Sequence, residues 1–574
     1  MIKKFLYFFE QKQKKSLALL FCFMLISTIL EMVGLGFIFS IVGALNTVEV
    51  KNNIFLEKLK SIFEINQSEV FLYLLVIFLS FYIIKIVFLS FYNWFESNFL
   101  YTFREKISSK VFKKYLNQNF NFFYNRNSSE FIRNLMTEVE QLILYLISIL
   151  KLFLEIIIVF GIFCLLAYID FNFTIFITIT IVFSSLLYFL LFKEKLNRWA
   201  IQRQTDMQKR IQFMQEGFDG IKIIKLLGRE DFFFNKFKTH NVNLCQITAR
   251  TYFFQGLPRL LFELIGIFII TFALFIFYSS EKNLNDIIQI LTIYIAASFR
   301  ILPSASRIVT SLQHMKLSFP AVNLLYNELK KFKKEEPKSQ EIFYFKKDIS
   351  TQIKEFKYPG SDNFQISNIN LKILKGQKIG IIGASASGKS TLVEILTGIT
   401  KPSEGTVEVD GKSIFSNLSG WQKMIGLVPQ KIFIMDGSLR DNILFGLKSS
   451  EYNDDQVISL MRKINLENLY KRLPNGLDGS LGEKGINLSG GEIQRIGMCR
   501  ALIYNPDILF LDEATSSLDL ETETQILDEL KVFKNKTIIS IAHRINTLKN
   551  CDIIYRVDNG KLIDHGNFDK FKNS

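Results

Sequence analysis

The chain has 574 residues, 49% of them hydrophobic, and a formal net charge of +15. That length exceeds what one soluble core usually supports, so we expect two or more domains. Apolar runs crowd into residues 1 to about 325, and basic residues crowd into the loops between them, which is typical of a membrane protein and argues against nucleic-acid binding. Five scattered cysteines argue against a disulfide framework.

Six segments of the N-terminal part are long and apolar enough to cross a membrane, which takes about 20 residues. We predict these spans at Ser16–Ala44, Val70–Phe95, Leu142–Ile169, Phe171–Phe192, Leu257–Tyr278 and Ile287–Thr310. Lysines and arginines cluster in the N-terminal stretch and in the loops after spans two and four. The positive-inside rule therefore predicts that both termini and the two long loops are cytoplasmic.

The two long loops, residues 96–141 and 193–256, have apolar residues at helical spacing. We predict helices that extend the spans and turn back near Leu116–Phe123 and Ile211–Phe218, where they would contact the C-terminal domain. Plain solvated hairpins are the alternative. The outer loop, residues 46–68, predicts a short amphipathic helix, either on the outer membrane surface or packed on the outer ends of the spans.

Ionisable residues inside predicted spans are costly and therefore informative. Members of two pairs are four residues apart on one helix, so each pair can neutralise itself. These pairs are Lys151 with Glu155 and Arg259 with Glu263. Four other residues lack such a neighbour: Glu31, Lys85, Arg300 and Arg307.

Lys85 and Arg300 lie at similar predicted depths, counted inward from the outer ends of their spans. A cavity lined by such cations would suit a phosphate or pyrophosphate group. We predict a substrate path formed by Lys85, Arg259, Arg300 and Arg307. The alternative is that these side chains snorkel toward the membrane surface.

The C-terminal part begins after a lysine-rich linker. We place the membrane domain at residues 1–325, the linker at 326–348 and a soluble domain at 349–574. A buried strand, Ile379–Ile382, precedes the segment GASASGKS and a helix. Backbone amides of such a loop cradle phosphates, the lysine reaches the β- and γ-phosphates, and the following hydroxyl binds Mg²⁺. The expected nucleotide contacts are Gly383, Ala384, Ser385, Ala386, Ser387, Gly388, Lys389, Ser390 and Thr391.

A second buried strand, Ile508–Leu511, ends in Asp512 and Glu513. Asp512 would hold the metal ion, directly or through water. Glu513 is placed to polarise the attacking water. A helix N-cap is the alternative for two such acids, and the phosphate loop upstream argues against it.

These motifs resemble those of ATP-binding cassette (ABC) exporters, in which six spans precede one cassette, and the resemblance covers nearly the whole chain. It implies an all-α six-helix membrane domain followed by an α/β P-loop ATPase domain. It implies that Tyr358 stacks on adenine and that Gln430, in LVPQ, senses the γ-phosphate and Mg²⁺. It also implies that His543, in IAHR, is a switch histidine.

The same resemblance implies that the cassettes act in pairs. Ser489, Gly490 and Gly491 match the signature that contacts ATP bound by the other subunit, and Asp519 matches a loop that crosses the dimer interface. One cassette with six spans makes half a transporter, so we expect a homodimer that binds ATP and Mg²⁺. The family usually has glycine where this chain has Ala386, and the added bulk is expected to weaken nucleotide binding or slow turnover.

The membrane domain resembles a narrower group, the bacterial flippases of lipid-linked oligosaccharides used in protein N-glycosylation. The resemblance rests on Glu31 in the first span, the insert after it, PRLLFELIG in the fifth span and FRILPSASRI in the sixth. It implies a bacterial inner-membrane protein that contacts membrane lipids and moves a polyprenyl-pyrophosphate glycan. Alternatives are an exporter of lipid A, peptides or hydrophobic drugs, and an ATP-regulated channel or non-pumping membrane protein.

Overall fold

The computed structural model describes residues 2–45, 70–278, 284–331, 343–361, 365–448, 451–514, 525, 536–542 and 544–572. Its internal contacts divide the chain into two compact units. The membrane unit is Met1–Gln118 with Arg126–Lys333, and the cassette unit is Asn119–Asn125 with Lys334–Ser574. The predicted surface helix at residues 46–68 lies outside the described residues.

The membrane unit is helical. Its helices are α1 (Ile2–Leu6), α2 (Gln11–Leu45), α3 (Val70–Leu116), α5 (Ser128–Arg133), α6 (Val139–Ile169), α7 (Phe171–Asp219), α8 (Ile221–Leu227), α9 (Glu230–Tyr278) and α10 (Leu284–Lys331), while α4 (Asn121–Tyr124) belongs to the cassette unit. One π-helical turn, Asn134–Glu138, joins α5 to α6.

Five of the helices, within the part of the chain that is described, are long and apolar enough to cross a membrane. They correspond to predicted spans one to five. The sixth predicted span falls within α10, whose first residues carry no described side chains. Spans three and four are joined at Asp170, whose carboxylate accepts a hydrogen bond from the amide of Phe173 at 3.0 Å and so caps α7.

The prediction that the long loops continue the spans as helices is confirmed by the lengths of α3, α7 and α9. The first predicted turn is also confirmed, because α3 ends at Leu116 and Asn119–Asn125 groups with the cassette. The second predicted turn is wrong. Residues 211–218 are helical, and the chain turns at Gly220 and at Gly228, whose φ of 60° ends α8 in the left-handed region.

The cassette unit contains two sheets. Their strands are β1 (Asp348–Phe356), β2 (Ile366–Leu374), β3 (Lys378–Ile382), β4 (Glu404–Val409), β5 (Lys412–Ser413), β6 (Ile425–Val428), β7 (Ile508–Asp512), β8 (Thr537–Ile541), β9 (Ile553–Asp558) and β10 (Lys561–Gly566). The first sheet is antiparallel with order β2-β1-β4-β5. The second has order β10-β9-β3-β8-β7-β6 and is parallel except for the β9–β10 pair.

The helices of the cassette unit after α4 are α11 (Lys389–Leu396), α12 (Leu418–Gln422), α13 (Leu439–Leu444), α14 (Asp454–Lys463), α15 (Glu467–Arg472), α16 (Gly490–Leu502) and α17 (Phe568–Phe571). Strands β3 and β7 are buried isoleucine- and leucine-rich runs, as expected for a parallel sheet covered on both faces. The sequence also predicts a short strand at Glu355–Tyr358. The observed strand, β1, begins earlier and ends at Phe356, so Tyr358 lies in the loop after it.

Candidate functional site

The phosphate loop lies between β3 and α11, as the sequence predicts. Lys389 is 4% exposed, and its Nζ donates to the carbonyls of Gly383 at 3.0 Å and Ala384 at 2.8 Å. The loop closes through a bond from the Ser387 amide to the Ala384 carbonyl at 3.2 Å. A side chain at Gly383 is excluded, because a Cβ there would lie 2.1 Å from the Val557 carbonyl oxygen.

Two residues of this loop have a left-handed backbone. Gly388 has a φ of 103° and precedes the first residue of α11. Ala386 has a φ of 61°, where a Cβ is strained. The family's glycine at this position therefore has a conformational reason, and this chain carries a residue that fits its backbone less well.

The acidic residues meet the loop because β3, β8, β7 and β6 are parallel, so the loops that follow them share one edge of the sheet. The Ser390 hydroxyl donates to Oδ1 of Asp512 at 3.3 Å. The Gln430 side-chain amide donates to Oε2 of Glu513 at 2.5 Å, and Glu513 is buried. Four predicted site residues thus form two adjacent hydrogen-bonded pairs.

Burial sets the electrostatics of this edge. Burial lowers the pKa of Lys389, and the carboxylates of Glu513 and Asp512 oppose that shift. Burial and the neighbouring Glu513 raise the pKa of Asp512, while the hydroxyl of Ser390 opposes the rise. A hydroxyl and a carboxylate side by side are ligands that Mg²⁺ prefers, so the donor set fits this ion together with phosphate oxygens and waters.

Tyr358 is held by hydrogen bonds and by aromatic contacts. Its hydroxyl donates to Oε2 of Glu394 at 2.7 Å and lies 3.1 Å from the hydroxyl of Thr391, which follows the phosphate loop. The Tyr124 ring lies parallel to it, with centroids 4.3 Å apart and an interplanar angle of 5°. Burial raises the pKa of Tyr358, so the phenol stays protonated and able to donate.

Sequence reasoning missed both Tyr124 and Glu394. The predicted contact turn ended at Phe123, one residue before Tyr124, and Asn125 adds a side-chain hydrogen bond to the Pro359 carbonyl at 2.5 Å. An aromatic-rich turn, NFNFFY, was the available signal. The segment Asn119–Asn125 is therefore packed against the loop that carries Tyr358.

The signature residues begin α16. Ser489 is its N-cap, with its hydroxyl accepting from the Glu492 amide at 3.2 Å while Glu492 accepts from the Ser489 amide at 2.7 Å. This capping box fixes the start of the helix and leaves its first amides pointing outward. A Cβ at Gly490 would meet nothing within 4 Å, so that residue faces open space. Gly491, beside it, is half-buried. Asp519 and His543 lie outside the described residues.

The predicted path residues form two groups in the membrane unit. The first contains Lys85, Glu31 and Arg300, with Arg300 ion-paired to Glu31 and both charges acting on Lys85. The Lys85 Nζ lies 5.0 Å from the centroid of the Tyr82 ring. This group joins α2, α3 and α10 and holds two cations and one carboxylate.

The second group lines a cavity of about 650 Å³ between α9 and α10. Arg259, Glu263 and Arg307 share its wall. Arg307 also binds Glu155 of α6, through its Nε and through its Nη2 at 3.2 Å to Oε2. The second group therefore contains as many carboxylates as guanidinium groups.

Two expectations about these charges are corrected. Arg300 and Arg307 have carboxylate partners, although neither has one on its own helix. Glu155 pairs with Arg307 of α10, where the sequence spacing had suggested Lys151. Sequence spacing reports only partners on the same helix, whereas a charge among apolar helices takes whichever partner the packing supplies.

Comparison with known proteins shows the same two-part organisation. A family model described as "ABC transporter transmembrane region" matches residues 17–301, and one described as "ABC transporter" matches residues 366–516. A bacterial Atm1-family ABC exporter with ATP bound is similar in fold, with a TM-score of 0.81 at 18% identity over 97% of this chain and 96% of that chain. The predicted fold class is confirmed.

Sequence relatives differ in how much they share with the chain. ABC transporter B family member 17 of Arabidopsis thaliana is 35% identical over 274 residues, 46% of this chain and 22% of the plant protein. The chain thus spans about a fifth of the length of such relatives. An ABC transporter ATP-binding protein of Bacillus subtilis, YfiB, is 28% identical over 475 residues, 79% of each protein.

Proposed function

Because the chain belongs to the ABC transporters, with one membrane unit and one cassette, we propose that it is half of an ATP-driven exporter that works as a homodimer. One observation supports this most strongly. Five predicted site residues lie together at one edge of the cassette sheet: Lys389, Ser390, Asp512, Gln430 and Glu513. This is the set of groups needed to bind a nucleotide and activate water. Pairing is supported by Ser489, Gly490 and Gly491, which resemble the signature that contacts ATP bound by the other subunit.

In this proposal each residue of the edge has a separate task. The Lys389 ammonium and the loop amides would bind the phosphates. Ser390 and Asp512 would hold Mg²⁺, and the ion would supply neutralisation of phosphate charge. The buried Glu513 carboxylate takes a proton from the attacking water, and Gln430 orients that carboxylate. Tyr358 stacks on adenine. The signature Ser489–Gly491 completes the site of the opposite copy, with Asp519 and His543 assigned by resemblance.

The experiment is a paired measurement of oligomeric state and ATP hydrolysis on purified full-length protein. We expect a dimer that hydrolyses Mg-ATP, with substitutions at the signature abolishing hydrolysis although Mg-ATP still binds. A stable monomer that hydrolyses ATP at the full rate would contradict the paired site. A dimer that binds Mg-ATP without turnover would favour the ATP-regulated channel or scaffold alternative.

For the cargo, we propose a lipid-linked oligosaccharide, flipped across the bacterial inner membrane with the cassette on the cytoplasmic side. Its support is the first membrane group, in which Lys85 and Arg300 face a single carboxylate, Glu31. A cation without its own carboxylate among apolar helices costs free energy, and binding of an anionic cargo would offset that cost. The pyrophosphate of the lipid-linked glycan would pass this group and then the cavity lined by Arg259 and Arg307.

The carboxylates of the two membrane groups favour a second candidate, a less anionic cargo such as a hydrophobic drug. They halve the positive charge of the first group and cancel that of the second, whereas the sequence had predicted a cationic path. Lipid A and peptides are further candidate cargoes and would be tested in the same experiment. Liposomes containing the protein would be offered these cargoes side by side. We expect Lys85→Gln with Arg300→Gln to reduce flipping of the pyrophosphate lipid at least about tenfold while basal ATP hydrolysis changes little. Unchanged flipping by that variant would refute the route.

A further inference from the structure

A cluster of buried polar side chains joins the parts of the membrane-unit helices that extend beyond the predicted spans. Arg133 ends α5, and its Nη1 donates to Oε1 of Gln208 on α7 at 2.6 Å. Glu138 is fully buried and accepts at Oε2 from the Gln204 side chain, also on α7, at 2.7 Å. Asn134, buried beside them, donates to the hydroxyl of Tyr115 on α3 at 2.9 Å. The cluster therefore ties together the helices of spans two, three and four outside the predicted spans.

This cluster is incompletely bonded. Within the described part of the chain, Oε1 of Glu138 has no hydrogen-bond donor, and its ion pair with Nε of Arg133 is 3.9 Å long. Arg203 of α7 carries two buried groups, Nε and Nη2, that have no acceptor among the described residues. Buried groups left in this way cost free energy that a new hydrogen bond would recover.

The unbonded groups are complementary. Nε and Nη2 form the edge of a guanidinium group that donates two parallel bonds to one carboxylate. Glu138 is the carboxylate whose charge acts on Arg203. The pair is separated in this structure, with Glu138 lying nearer to Arg133. A rearrangement that closes it would satisfy three buried atoms at once.

The surroundings of both partners offer a second arrangement. Glu138 is the last residue of the π-helical turn, a conformation with one extra residue that recurs at functional sites and can relax to an α-helix by a shift in register. Arg203 lies on the wall of a cavity of about 780 Å³ between α6, α7, α9 and α10. Its side chain therefore has room for a second rotamer, which close packing would forbid.

The chain connects this cluster directly to the cassette. Asn119–Asn125 belongs to the cassette unit, and α5 begins three residues later with Asn127 as its N-cap. After α5 comes the π turn. A displacement of the cassette-bound segment would thus reach Glu138 through a single short helix.

We propose that Glu138 is a positioning residue that exchanges Arg133 for Arg203 during the transport cycle and so links movement of the cassette to span four. The exchange depends on the ATP-driven cycle proposed above but not on the nature of the cargo. It assigns a task to residues that the nucleotide site and the anion path leave unused.

Cys245 provides a probe that reports on the cluster independently of hydrolysis. It is an exposed, free cysteine that lines the same cavity as Arg203. Its rate of modification by a maleimide would be followed by peptide mass spectrometry, without nucleotide and with Mg-ATP, in a Glu513→Gln background that holds the nucleotide. We expect Mg-ATP to change this rate at least about fivefold, and Glu138→Gln to abolish the change while Mg-ATP still binds. A nucleotide response that survives Glu138→Gln would overturn the proposal.

A double-mutant cycle tests the exchange itself. Thermal unfolding would be measured for Glu138→Gln, Arg203→Lys and the double variant. Lysine at position 203 keeps the positive charge, which preserves folding, but it cannot donate two parallel hydrogen bonds to one carboxylate. The cycle gives a coupling between the two positions, expressed as a ratio of unfolding equilibrium constants. This ratio should differ at least about tenfold between the nucleotide-free and Mg-ATP conditions. Equal coupling in both conditions would show a fixed structural contact and refute the exchange. Lys209→Gln, an exposed charge on the same helix, should match the unmutated protein in both assays.

Discussion

The cassette unit and the membrane unit organise their charges in different ways. In the cassette, the polar residues that meet are each brought to the site by a short motif next to a strand, such as Ser390 beside β3 and Asp512 at the end of β7. In the membrane unit, the charges that meet come from helices far apart in sequence, such as Glu31 with Arg300. The first kind of site can be predicted from sequence because its motifs follow neighbouring strands. The second kind cannot, because it depends on which helices pack together.

The largest effect is expected in the cassette, at Glu513. Glu513→Gln removes the proposed base and keeps the shape and the hydrogen bond with Gln430, so ATP hydrolysis should fall at least about 100-fold while Mg-ATP binding persists. Steady-state hydrolysis and nucleotide binding would be measured on the same preparation. Glu404→Gln, on an exposed strand of the other sheet, is the matched control and should retain the full rate. Hydrolysis within twofold in Glu513→Gln would remove that residue from the mechanism.

In the membrane unit, Arg307→Gln should give the next largest effect. It leaves the Glu155 carboxylate, whose side chain is 6% exposed, without its cation, at a cost of about 3 kcal/mol in the free energy of unfolding. Adding Glu155→Gln should restore most of the lost stability, as followed by thermal unfolding in detergent. Lys151→Gln is the informative control, since it removes the partner that helical spacing suggested. A larger loss in Lys151→Gln than in Arg307→Gln would reverse the assignment.

Tyr124 belongs to both sides of this comparison, since it lies between helices of the membrane unit in sequence but packs against Tyr358 within the cassette unit. Tyr124→Ala should reduce the stability of the cassette by about 1 kcal/mol through loss of the stacked ring. Tyr124→Phe keeps the ring and should be neutral. If both variants unfold at the same temperature as the unmutated protein, the stacking contributes nothing.

The smallest expected effect is a gain. Ala386→Gly removes the steric strain of a Cβ at a left-handed backbone position, which costs about 1 kcal/mol. If that free energy goes into binding, the affinity for Mg-ATP increases about fivefold. Ala384→Gly, two residues earlier, changes the same loop at a position where φ is not positive and serves as the control. Titration calorimetry on the full-length protein would measure both. Equal affinities for Ala386→Gly and the unmutated chain would mean that the loop accommodates alanine without cost.

Much of the cassette could be predicted from sequence because each motif carries its own local structure. The strands β3 and β7 and the helix that follows the phosphate loop agree closely with expectation. Tyr358 was placed in a strand, but β1 ends two residues before it, just ahead of the turn that contains Pro359 and Gly360. Sheet pairing then determined which motif residues meet, such as Gln430 with Glu513.

The membrane unit was predictable in outline only. Hydropathy located the spans, since it is summed over many residues, and the cytoplasmic position that charge assigns to the long loops stays a prediction. The partners of Arg300 and Arg307 could not be found, because helical spacing carries no information on which helices become neighbours. The turn expected at Ile211–Phe218 failed for a related reason: apolar periodicity continues through a helix whether or not the chain is about to reverse.

The account is tested most directly by measuring ATP hydrolysis and lipid flipping together in the same liposomes, using a fluorescent pyrophosphate-linked glycolipid that an impermeant reagent quenches on one face. The account predicts that flipping requires Mg-ATP, stops in Glu513→Gln, and falls in the Lys85→Gln, Arg300→Gln variant while hydrolysis continues. Flipping that proceeds at the same rate without ATP, or ATP hydrolysis at the full rate with no movement of this lipid, would contradict it.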